Sequence, residues 1–155
     1  MQALKLSPPD LAFRRLVAEL RPRRLSIENV PLEHAFGRVL AERVKSNTRI
    51  PPTDISAMEG YAIRCRDTKS ATFSTPTKLR VVGRLFVDEE ATSVYVRQGE
   101  AVYVATGAAI PHGADTVVRV EHAKRSDGEI AVYGEIGRGR DISYAGDDIP
   151  RGLVF

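Results

Sequence analysis

Residues 101–120 read Ala-Val-Tyr-Val-Ala-Thr-Gly-Ala-Ala-Ile-Pro-His-Gly-Ala-Asp-Thr-Val-Val-Arg-Val. Two runs rich in β-branched side chains, Ala101-Val102-Tyr103-Val104 and Thr116-Val117-Val118-Arg119-Val120, flank a stretch of small and turn-forming residues. β-Branched and aromatic side chains favour a pleated surface, while the Gly, Pro and Asp between the runs break any helix. A parallel βαβ unit needs a crossover of roughly a dozen residues, usually helical, and no good helix separates these runs. The stretch reads as two short strands and a loop.

The same signal recurs on both sides. Leu79-Arg80-Val81-Val82-Gly83, Val94-Tyr95-Val96 and Ile130-Ala131-Val132-Tyr133 are further strand candidates, punctuated by Gly, Pro, Asp and Ser at hairpin spacing. Ser126-Asp127-Gly128-Glu129 is a hairpin turn, because Asp-Gly tolerates the positive φ angles of a tight reversal. Before Tyr61 the pattern changes. Ser7 is a candidate N-cap ahead of Pro8-Pro9, and Phe13, Leu16, Val17 and Leu20 then recur at helical spacing until Pro22. Residues 31–36 suggest a short helix closed by Gly37, residues 38–46 a strand, and Ile50-Pro51-Pro52-Thr53-Asp54 a loop. The fold class that follows is mainly β with an N-terminal helix, α+β overall.

Composition narrows the function classes. A hydrophobic fraction of 43% and a charged fraction of 28% suit a globular chain able to bury a core. No apolar run approaches the roughly 20 residues that span a bilayer, and Ser7-Pro8-Pro9-Asp10 interrupts the N-terminus before a signal-peptide apolar region forms. One cysteine, Cys65, excludes an internal disulfide framework and a four-cysteine zinc site. The excess of 23 basic over 20 acidic residues is small. With no Trp and few aromatics between the basic clusters (Arg14-Arg15, then Arg21, Arg23 and Arg24), these read as a solvated helix face and its exit. A cytoplasmic protein with neither a nucleic-acid nor a membrane partner is expected.

Three segments gather chemistry-bearing residues. In 51–62, Asp54 and Glu59 flank Ser56; they either ligate Mg²⁺ through oxygen and act as acid or base, or cap a turn and face solvent. In 105–115, Thr106-Gly107 ends a strand; small residues let backbone N–H groups approach an anion, although an ordinary turn has the same appearance. In 137–152, Asp147 and Asp148 follow a glycine and offer hard oxygen ligands, or form a solvated acidic turn. His112, between Pro and Gly, reads as a turn residue, and Cys65 as a packed thiol.

Taken in order, the stretches PLEHAFGRVLAERV (31–44), PPTDISAMEGYAIR (51–64), GEAVYVATGAAIPHGADTVVRVE (99–121) and GRGRDISYAGDDIPRG (137–152) resemble the N-terminal region, domains I and II, of the molybdopterin molybdenumtransferase (MoeA and gephyrin E-domain) family. The resemblance covers nearly everything from residue 26 onward. It implies a fold of coiled, bifurcated β-sheets, with 1–25 a helical segment, 26–46 and 147–155 part of a first subdomain, and 47–146 an inserted β-rich subdomain. It implies insertion of molybdenum from molybdate into adenylylated molybdopterin with Mg²⁺-assisted release of AMP. It further implies a homodimer and a pterin-binding domain, supplied by the same or another chain, without which this segment is inactive.

Carried over by position, Glu59, Thr106 and Asp148 are the implied catalytic residues, with Glu59 and Asp148 as metal ligands and Asp54, Ser56, Gly107 and Asp147 as cofactor-binding residues. The chain departs from the family pattern at four places: Ile55 stands for Asn, Glu59 for Asp, Val120 for Gln and Ser143 for Arg. Glu59 keeps its charge, whereas the other three replacements remove polar groups or charge. A second expectation therefore stands beside the first: a non-catalytic binding or dimerisation module of the same family.

Overall fold

The computed structural model describes residues 7–20, 25–89 and 94–155, in two compact units, residues 1–43 and 44–155. The cluster Arg21, Arg23 and Arg24, the expected stop at Pro22 and residues 1–6 lie outside the described residues. Among the described residues no helix is long and apolar enough to cross a membrane.

In the first unit, α1 spans Pro9–Leu20 and none of its residues is buried. Ser7 does not cap it. The first helical bond runs from Ala12 N–H to the Pro8 carbonyl at 2.9 Å, so the cap position falls on Pro8, and the two prolines after Ser7 offer its hydroxyl no N–H. Ser7 Oγ instead lies 3.5 Å from an Arg15 guanidinium nitrogen. The expected helix at 31–36 contracts to a single 3₁₀ turn, Leu32–His34, followed by Gly37 at φ +78°. Residues 38–46 form no strand, since a strand needs a partner to satisfy its ladder; only Lys45 forms a bridge, with Val154.

The second unit is built on a six-stranded sheet in the order β5-β2-β4-β3-β7-β6 and a two-stranded ladder of β1 and β8. Its strands are β1 Ile55–Ser56, β2 Gly60–Ile63, β3 Thr77–Leu85, β4 Glu100–Val104, β5 Thr116–Arg119, β6 Ala123–Ser126, β7 Glu129–Val132 and β8 Ile142–Ser143. The architecture is the mainly β fold with an N-terminal helix that the sequence suggested. The Ser126–Glu129 turn joins β6 to β7, with Asp127 and Gly128 both at positive φ. Val120 leaves β5 and begins a 3₁₀ turn, and the Val94–Val96 run contributes only a bridge from Tyr95 to His112.

One neighbour pair departs from hairpin logic. β3 and β4 run parallel, although they follow one another in the chain. Buried Val96 accounts for this, since it packs with Leu85, Val102 and Val104 and gives the crossover an apolar footing.

Both faces of the sheet are covered. Tyr61, Ile63, Leu79, Val118, Ile130 and Val132 form one buried cluster, and Ala62, Leu85, Val96, Val102, Val104 and Val117 the other. The period-2 alternation of β2 therefore sends apolar groups both ways, which is why Gly60 to Ile63 are all buried. Gly60 sits where β2 meets both neighbours, opposite Val104 and Arg119. A Cβ there would stand 2.2 Å from the Val118 carbonyl oxygen, a backbone atom with no room to retreat.

β5 is also tied to the chain ahead of β8. Arg119 donates twice to Asp141, at 3.0 and 2.8 Å, and the Asp141 carbonyl accepts Ala57 N–H at 2.9 Å. The Arg119 hydrogen bonds hold the Asp141 carboxyl below its usual range, against the opposing effect of burial. A carboxylate of depressed pKa contributes stability that is present above its unfolded value and lost as pH falls through the folded one.

Gly60→Ala is expected to lower stability by about 1–3 kcal/mol, read from urea unfolding, because β2 must move off β5. Asp141→Asn is expected to lower the melting temperature at pH 7 by about 2–4 °C. That difference from the wild type should begin to shrink as pH drops below about 4, where the carboxyl of the unfolded chain takes up its proton, and disappear only below the lower pKa of the folded carboxylate.

Candidate functional site

The three chemistry-bearing segments meet, and backbone hydrogen bonds hold them together. Ser56 is buried at the centre: its N–H donates to the Ala108 carbonyl and its carbonyl accepts Gly107 N–H, both at 2.8 Å. The Ser56 hydroxyl donates to the Met58 carbonyl at 2.6 Å, turning the chain toward Glu59. On the same two-residue strand Ile55 pairs with Ser143 and bridges Ala109. Ile110 N–H donates to the Asp54 carbonyl at 2.9 Å. Segments 51–59, 105–110 and 141–149 thus form one continuous surface.

The carboxylates divide by role. Asp54 accepts Ala145 N–H at 2.9 Å and so ties its loop to the one ahead of Asp147, while Asp147 accepts Tyr144 N–H at 2.7 Å and closes a turn; each uses one oxygen and keeps the other. Asp148 is exposed, its N–H donates to the Ile50 carbonyl, and its carboxylate takes no hydrogen bond or ion pair among the described residues. Glu59 is exposed and accepts a hydrogen bond of 2.5 Å from the Tyr103 hydroxyl. That bond, with some burial, raises the Tyr103 pKa above its ordinary value.

Gly107 has φ +85°, a left-handed conformation that favours glycine. Its N–H is spent on Ser56 and those of Ala108 and Ile110 on neighbouring carbonyls, so these three amides are not available to an anion. Exposed Thr106 is left as the donor of that loop. No hydrogen bond joins the side chains of Glu59, Thr106 and Asp148 to one another among the described residues. Nor, among these, does any group of three or more His, Cys, Asp or Glu side chains stand ready to hold a metal. What the donor set fits is a hard cation taking one or two carboxylates here and its remaining oxygens from substrate and water, which is the habit of Mg²⁺.

Two features lay outside the sequence reading. Tyr103 looked like one more residue in a valine-rich strand, and only its placement beneath Glu59 gives it a role. Asp115, at the mouth of β5, accepts both Cys65 N–H, at 2.7 Å, and the Cys65 thiol, at 3.3 Å. Burial and this carboxylate push the thiol pKa up, which suits a packed cysteine and not a nucleophile. Four departures from the family pattern fall in two adjacent pairs: Ile55 faces Ser143 across β1 and β8, and the Glu59 carbonyl accepts Val120 N–H at 3.3 Å.

Comparison with known proteins is specific. The family model of the MoeA N-terminal region (domain I and II) matches residues 8–155. A molybdopterin molybdenumtransferase of Synechococcus elongatus is 37% identical over 141 residues, 91% of this chain and 35% of that protein. The molybdopterin molybdenumtransferase of Bacillus subtilis is 32% identical over 96% of this chain and 35% of its own length. A crystal structure of the molybdopterin biosynthesis MoeA protein from Pyrococcus horikoshii, 38% identical, superposes with a TM-score of 0.77 over 82% of this chain and 33% of that one. The chain therefore spans about a third of the length of these relatives. It belongs to the family of the MoeA N-terminal region, domains I and II.

Proposed function

We propose that this chain is the N-terminal module of a molybdenum cofactor biosynthesis protein, working on adenylylated molybdopterin and molybdate with a pterin-binding domain outside the segment described. What supports the reading is the backbone fastening of 51–59, 105–110 and 141–149, the three segments on which Glu59, Thr106 and Asp148 lie. Molybdate is an anion, so bare carboxylates repel it. Glu59 and Asp148 would hold Mg²⁺, which when bound supplies charge neutralisation for breaking the phosphoric anhydride of the adenylylated substrate. The Tyr103 hydroxyl holds the Glu59 carboxylate in one orientation. Thr106 offers a hydroxyl to oxo groups, and Glu59 is placed to take or give protons as those groups leave. Asp54 and Asp147 shape the loops around cofactor and substrate. Work in the cytoplasm and as a homodimer belongs to the same proposal.

A second reading, an assembly or dimerisation module without catalysis, is favoured by one observation: the apolar stripe Phe13, Leu16, Val17 and Leu20 of α1 is exposed along its length. The first reading is tested by mixing the chain with adenylylated molybdopterin, molybdate and Mg²⁺, with and without a separately supplied pterin-binding domain, and following AMP. Release that needs both pieces is expected, slowed about a hundredfold or more in Glu59→Ala and in Asp148→Ala. No release in any combination would leave the assembly reading.

A further inference from the structure

Strand β3 outruns the neighbour on one of its edges. β4 accompanies it from Arg80 to Leu85, but β7 pairs only with Thr77 to Arg80 and then gives way to the Asp127-Gly128 reversal. The Gly128 carbonyl accepts Val81 N–H at 2.8 Å, and no described strand continues along that edge. A turn closes the far end. Phe86 N–H donates to the Glu89 carboxylate at 2.9 Å, and the Phe86 carbonyl accepts Glu89 N–H at 3.1 Å. Between these two closures, residues 82–85 keep an open edge.

The ladder decides which backbone groups lie on it. β3 carries a bulge between Val81 and Gly83, so that Val81 faces Ala101 but Gly83, not Val82, faces Val102. The extra residue reverses the alternation: Leu79 and Val81 pack with one buried cluster and Leu85 with the other. The Leu85 carbonyl accepts Ala105 N–H at 3.1 Å, on the β4 side. Successive residues of a strand turn their N–H and C=O groups to opposite edges. Arg84 therefore presents both of its backbone groups to the open one.

This edge walls a groove of about 440 Å³, lined also by Phe86, Tyr103 and Arg125. The Phe86 ring is already covered: the Arg84 guanidinium lies 5.5 Å from its centroid, and Tyr103 meets it edge on at 6.2 Å. What the groove offers is main chain and charge. Arg84 and Arg125 are exposed, and neither forms an ion pair with a described carboxylate. Glu89, the acid at the far end, is engaged by the Phe86 amide.

We propose that the open edge of β3 takes up an extended acidic segment of a partner polypeptide by strand addition. Its main chain pairs with the Arg84 N–H and C=O, and its carboxylates meet the Arg84 and Arg125 guanidiniums. Charge selects this occupant over a second copy of the chain. Two such edges paired together would set arginine against arginine, and like charges opposite one another destabilise a ladder. The surface needs neither molybdate nor a pterin-binding domain, and so goes beyond the proposed transferase role.

Isotope-labelled full chain titrated at low ionic strength with the capped peptide Val-Glu-Val-Glu-Val tests it. Amide shifts are expected at residues 81–86 and 125, and hydrogen exchange of the Arg84 amide should slow about tenfold at saturation. The same peptide N-methylated on successive main-chain amides keeps its charges but cannot pair as a strand, and should bind far more weakly. So should Val-Lys-Val-Lys-Val. Arg125→Glu should weaken the glutamate peptide about tenfold, while Arg151→Ala, a control for overall charge, should not; the dispersion of the spectrum reports whether each variant is folded. Absence of binding, equal binding of the N-methylated peptide, an unprotected Arg84 amide or wild-type affinity in folded Arg125→Glu overturns the proposal. Protection of Arg84 that rises with protein concentration when no peptide is present means that a second copy occupies the edge, and overturns it too. Because no reaction is followed, either outcome leaves the transfer reading to its own test.

Discussion

A strand buried on both faces has to satisfy every backbone N–H and C=O through its neighbours, because water reaches neither side. β2 is such a strand, and the rest of the second unit is arranged around that requirement. β4 lies along one edge and β5 along the other, and Gly60 is the point where all three come together. The Val118 carbonyl approaches so closely that no side chain fits. What precedes Gly60 is thereby aimed as well, since Glu59 emerges from the sheet directly over Tyr103.

The candidate site is a product of backbone bonding more than of side-chain packing. Ser56, Gly107, Ala108 and Ile110 use their amides and carbonyls to fasten two loops, Asp54 spends one oxygen tying in a third, and Asp147 spends one closing a turn. Such a platform is rigid where it is hydrogen-bonded and leaves Glu59, Thr106 and Asp148 projecting from it. Rigid placement of a few polar groups is what favours a charged substrate over bulk water. The same fastening means that the loop amides 107, 108 and 110, which in sequence resembled an anion cradle, serve the fold.

Apolar periodicity, turn residues and helix breakers are local properties, and they were legible. The β5 region, the Asp127-Gly128 hairpin and the amphipathic stripe of α1 could all be read from residue order, as could the three segments that carry the site. Where local signals were weak, neighbours decided. Residues 38–46 alternate like a strand but find no ladder, and Val94–Val96 is apolar because it underlies a crossover. Ser7 precedes two prolines that leave it nothing to cap.

Sequence alone determined the mainly β class, the family likeness and the identity of the polar residues, because each rests on the type and order of side chains. Tertiary structure decided which of those residues hold the fold and which project from it. Asp54 and Asp147 are alike on paper to Asp148, and only their loop partners distinguish them. Tyr103, Arg84 and Arg125 acquired neighbours through strand register and a bulge, features that depend on how distant segments pair. Pairing of that kind is settled by burial on two sheet faces at once, which no single stretch of sequence contains.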